Sequence, residues 1–95
     1  MEFHRGETVI CSASVTDGSG NPKDPSTSMK ITITDFQNGF EVNDQAMTGG
    51  LPDSEGEYYY DYTLDVAALK GYYTVIYKAT DGTRITIKED RFEVV

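Results

Sequence analysis

The chain has 95 residues, 38% hydrophobic and 12% aromatic, which is one domain (residues 1–95) with enough apolar surface for a modest core. Its net charge is −8 and its eight basic residues are scattered, which speaks against a nucleic-acid or anionic-membrane surface, since each needs clustered Lys and Arg. The same acidity predicts a soluble monomer.

Cys11 is the single cysteine, so no internal disulfide can form. No apolar run approaches membrane-spanning length, so no membrane insertion is expected. MEFHRGE lacks the apolar region of a signal peptide. The chain is then either cytoplasmic or a piece of a longer secreted protein with neighbouring domains.

The first strong element is Thr8 to Thr16, where Val9, Cys11, Ala13 and Val15 alternate with Ile10, Ser12, Ser14 and Thr16. Asp17 to Pro25 cannot be a strand, because its Gly, Pro and Asx residues favour turns. Lys30 to Thr34 alternates again, with Ile31 and Ile33 inward. Asp35 to Gly39 turns the chain, and Phe40–Asn43 and Ala46–Thr48 are short strands. Gly49 to Gly56 is a loop.

The stretch GEYYYDYTL follows, from Gly56 to Leu64. Alternation divides its tyrosines: Tyr58, Tyr60 and Tyr62 join Leu64 on the core face, and Tyr59 points to solvent. Asp65 to Lys70 looks helical for about one and a half turns and reads as a connector before Gly71. Tyr72 to Thr80, Thr83 to Lys88 and Arg91 to Val95 complete the strands. A two-residue turn at Asp81-Gly82 would set Tyr77 opposite Thr86 and Val75 opposite Lys88. A three-residue loop, Thr80-Asp81-Gly82, is the preferred reading: it instead pairs Tyr77 with Ile85 and Val75 with Ile87 and puts both isoleucines inward. Phe92 and Val94 are out of phase with them, which requires a bulge or break within Lys88 to Asp90.

About seven short strands separated by turn clusters predict an all-β, antiparallel immunoglobulin-like sandwich without a disulfide, with a small barrel as the competitor. The order Gly6-Glu7-Thr8-Val9, Asp17, Gly20, Asp24-Pro25, Gly56-Glu57-Tyr58, Gly71-Tyr72-Tyr73-Thr74-Val75 and Phe92-Glu93-Val94 resembles the bacterial, archaeal and phage Ig-like domains that repeat in surface and virion proteins. It is also similar to macroglobulin-type and carbohydrate-enzyme accessory sandwiches. The resemblance spans nearly the whole chain but rests on turn and core signals, which carry no chemistry. It places Tyr73 as the tyrosine corner, with Val75 and Cys11 roughly where an antibody domain has its two half-cystines. No Trp is present, so the likeness is to disulfide-free modules. It implies a spacer, display or adhesion role outside the cell, on its surface or in a virion.

Chemistry is sparse. His4 is the only histidine and lies near the chain start, and Cys11 sits at an inward strand position, where a thiol is usually inert. Asp17, Ser19, Asn21 and Asp24 echo the start of a calcium loop. Pro22 and Ser28 stand where the loop needs Gly and Glu, so an Asx-rich turn is the preferred reading. Asp53, Glu55 and Glu57 form a second acidic cluster that could hold a hard cation, with a solvated loop as the preferred reading. With no triad, metal cluster or phosphate loop, the sequence reads as no enzyme and as needing no cofactor. Outward alternation leaves Tyr59 on one strand and Tyr72 with Ile76 on another as the candidate binding residues, for a protein or glycan surface.

Overall fold

The computed structural model describes residues Glu2 to Val95. They form eight strands and no helix: β1 (Glu2–Phe3), β2 (Thr8–Ser14), β3 (Ser28–Thr34), β4 (Phe40–Ala46), β5 (Thr48–Gly50), β6 (Ser54–Thr63), β7 (Gly71–Asp81) and β8 (Arg84–Val94). Two sheets result, a five-stranded one in the order β1-β8-β7-β3-β4 and a three-stranded one in the order β2-β6-β5. All pairs are antiparallel except β1 with β8.

Alternation decides which face of each strand is buried, because successive side chains leave opposite faces. Val9, Cys11 and Ala13 of β2, Met29, Ile31 and Ile33 of β3, and Tyr73, Val75 and Tyr77 of β7 are buried in one apolar cluster. Both sheets contribute to it. On β6 the three inward tyrosines each pair with a small or β-branched residue of β2: Tyr58 with Ala13, Tyr60 with Cys11, and Tyr62 with Val9. A large ring beside a small partner lets facing positions of unequal size share the layer. The tyrosines are half-buried at the margin of the cluster, and Leu64 is fully buried.

Loops are held by carboxylates. Asp35 is buried, and one of its oxygens accepts the amides of Gln37 and Gly39, both at 2.9 Å. Asp24 accepts from Leu51 N at 2.8 Å and Gly56 N at 2.7 Å, tying three segments together. Gly56 is required there: its φ is +76°, and a Cβ would lie 2.6 Å from the Val15 carbonyl oxygen. The Asp65 to Lys70 connector is a turn closed by Ala68 N to Asp65 O at 3.0 Å.

The β7–β8 hairpin departs from the expected register. Asp81 pairs with Arg84, so Gly82 and Thr83 are the two loop residues. Gly82 takes the first central position with φ 64°, as a II′-type turn demands. The ladder then runs without a bulge to Gly71 opposite Val94, and no break falls within Lys88 to Asp90. Tyr77 faces Lys88 and Val75 faces Asp90, so Ile85 and Ile87 lie on the outer face, 60% and 63% exposed. The phase difference between Ile85/Ile87 and Phe92/Val94 is real: the first pair points outward and the second inward from one regular strand.

Candidate binding surface

The outer face of the five-stranded sheet is built by the even positions of β7 and the odd positions of β8. Cross-strand pairs there are Tyr72–Glu93, Thr74–Arg91, Ile76–Glu89, Lys78–Ile87 and Thr80–Ile85. Tyr72 is 52% exposed, and the Arg91 guanidinium lies 4.7 Å from its ring centroid. That contact joins a cation to a π face across a strand diagonal and holds the ring against the sheet. Ile76 is half-buried, opposite Glu89 and diagonal to Ile87 in the register. Towards β3, Asp44 takes Lys78 at 3.3 Å and Lys30 at 3.5 Å. The Lys78 ammonium is the main cause that holds the Asp44 carboxyl below its ordinary value. The face is therefore an aromatic and aliphatic strip beside a fixed Lys–Asp–Lys bridge.

Tyr59 lies apart. It sits on the three-stranded sheet, 46% exposed, between Ser12 of β2 and Thr48 of β5. Tyr72 and Ile76 share the outer face of β7 with Thr74 between them, and Tyr59 lies on the other sheet. Sequence reasoning missed Ile85, Ile87 and Arg91, because an inward placement of both isoleucines looked more economical. The signal that would have found them is Phe92 and Val94: counted back along an unbroken strand, those two put Ile85 and Ile87 outside.

The other candidates are occupied by structural bonds. Asp17 accepts the amides of Ser19 at 2.8 Å and Asn21 at 3.1 Å, an Asx turn closing on itself. Asp24 serves as the loop tie described above, and Ser14 Oγ donates to Glu57 at 2.8 Å. Among the described residues no three His, Cys, Asp or Glu side chains converge as a metal site. His4 is exposed and its ring lies 3.2 Å from Glu7. Cys11 is buried, and burial is the main cause that pushes its thiol up to about 11. No helix among the described residues is long and apolar enough to cross a membrane. No family model matches the chain, and neither curated proteins nor solved structures give a match.

Proposed function

We propose that the chain is an immunoglobulin-like sandwich acting as a non-catalytic structural or adhesion module of a cell-surface or virion protein. Its working surface is the outer face of the five-stranded sheet. The observation that carries this reading is the set of exposed Tyr72, Ile85 and Ile87 around half-buried Ile76 on one sheet face, with the Arg91 guanidinium over the tyrosine ring. Rigid aromatic and aliphatic area at low entropy cost, with an arginine at its margin, is what protein interfaces concentrate. The Ig-like part draws support from the strand order and from Tyr73, whose hydroxyl donates to Leu69 O at 2.7 Å as a tyrosine corner would. Cys11 and Val75, both buried, occupy the region where an antibody domain has its disulfide.

A carbohydrate-binding accessory role is the second reading, favoured by the lone exposed ring of Tyr59. Tyr72 suits it less, since Arg91 already covers one face of the ring that a sugar would stack on. The test is a binding screen against extracellular protein ectodomains and a glycan array, repeated with Tyr72→Ala and Tyr59→Ala. Protein binding that Tyr72→Ala abolishes, at an unchanged thermal midpoint, is the expected result. A glycan hit abolished by Tyr59→Ala would install the second reading.

A further inference from the structure

The free backbone edge of β8 supplies a second interaction surface, which shares Ile85 and Ile87 with the strip just described. β1 covers this edge only opposite Glu93 and Val94. Val95 N donates to Phe3 O on that side at 3.0 Å, so alternation turns the backbone groups of Arg91, Glu89, Ile87 and Ile85 to the same open side. A long, regular, unpaired edge is a template for another strand. The other free edges are less specific. β5 has three residues, β4 is broken by register shifts, and β2 carries no charge from Thr8 to Ser14 to select an occupant.

β8 does select one. Its cations Arg84, Lys88 and Arg91 balance its anions Glu89, Asp90 and Glu93, so the strand is neutral within a chain of charge −8. The expectation of a monomer came from the whole-chain charge, and this edge is the exception to it. We infer that β8 pairs antiparallel with β8 of a second copy, about a two-fold axis through Ile87. Paired side chains must share a face, so a strand meeting its own copy pairs even positions with even and odd with odd. Centring on Ile87 sets Arg84 opposite the second copy's Asp90, twice by symmetry, and brings the exposed Ile87 side chains together. Centring on Thr86 sets Arg84 against Lys88, and centring on Lys88 sets that ammonium against itself. Centring on Glu89 opposes two carboxylates and needs the part of the edge that β1 holds. Centring on Asp90 opposes two carboxylates, and centring on Ile85 overlaps only Arg84 to Thr86 of the strand, so charge, overlap and occupancy leave the Ile87 register.

The test is analytical ultracentrifugation of the whole chain from about 1 μM to 1 mM, with a dissociation constant on the order of 10–100 μM expected for so small an interface. Ile87→Pro removes an amide that faces the open edge and no bond to β7, so it should leave the fold intact and abolish the dimer. Arg84→Asp should weaken association at least tenfold, and adding Asp90→Arg should restore it; this pair decides the matter if the proline variant does not fold. Tyr72→Ala should leave the dimer unchanged, which separates this result from the binding reading above. A chain that stays monomeric throughout would overturn the inference, as would a dimer indifferent to the β8 substitutions.

Discussion

Tyr73 and Leu69 are joined by a side-chain to backbone hydrogen bond of 2.7 Å that spans four residues at the entry to β7. Tyr73 is fully buried, and its ring stacks on Phe92 with centroids 5.1 Å apart. One residue thus fixes the connector through its hydroxyl and the core through its ring. Tyr73→Phe keeps the stack and leaves the Leu69 carbonyl without its partner. The expected cost is about 1–2 kcal/mol. In a domain of this size that lowers the thermal midpoint by about 4–8 °C per kcal/mol, readable by calorimetry.

Asp24 predicts a pH dependence. The amides of Leu51 and then Gly56 hold its carboxyl below the ordinary value of 3.8. A depressed carboxylate contributes stability above its unfolded value, and the contribution is lost as pH falls through the lower folded value. Asp24→Asn should therefore melt below the parent chain at pH 7. The two midpoints should draw together as pH falls below 3.8, where the parent protonates the same group. A gap that persists unchanged at pH 2 would assign the effect to shape rather than charge.

Alternation made β2, β3 and β6 legible, since each has one apolar and one polar face and a one-residue slip would expose the whole core set. The placement of Tyr59, Tyr72 and Ile76 on outward positions follows from the same rule. β8 was not legible in the same way. Its two halves point opposite apolar faces to solvent and core, and Gly82 can serve either central position of a short turn. Burial decides between them: Phe92 packs on Phe3 and Tyr73 and Val94 is buried, whereas the inward Thr86, Lys88 and Asp90 stay exposed. The structural duties of Asp24 and Asp35 were hidden for another reason. Their partners are backbone amides whose position depends on how distant segments meet.

That register predicts a contrast. Ile85→Ser and Ile87→Ser should each change stability by less than about 0.5 kcal/mol, as exposed substitutions do. Ile31→Ala, at a fully buried position, should cost about 2–5 kcal/mol. Urea denaturation at low protein concentration, where association does not contribute, separates the two classes.

The Asx turn at Asp17 predicts indifference to calcium. Its carboxylate is spent on the amides of Ser19 and Asn21, and Asp24 is spent on Leu51 and Gly56. Calcium at millimolar concentration should leave the thermal midpoint where it was, because a cation that does not bind the folded state cannot stabilise it. A rise with calcium that Asp17→Asn removes would place a cation in this loop.

Cys11 gives a probe of opening. Its side chain is buried beside Tyr77, and its thiol is pushed up to about 11, chiefly by burial. At pH 8 a thiol of that kind is ionised in roughly one molecule in a thousand. Removing it from solvent lowers its reactivity further, so a disulfide reagent should label the folded chain far more slowly than the chain in urea. Labelling should then follow the transient opening of the strand pair β2–β6. Its rate should rise in Ile31→Ala, which weakens the core around the thiol, and stay unchanged in Ile85→Ser. Fast labelling of the native chain, equal in both variants, would show that the thiol is reached without opening and that the groove lined by Phe3, Val9, Cys11 and Asp90 admits the reagent directly.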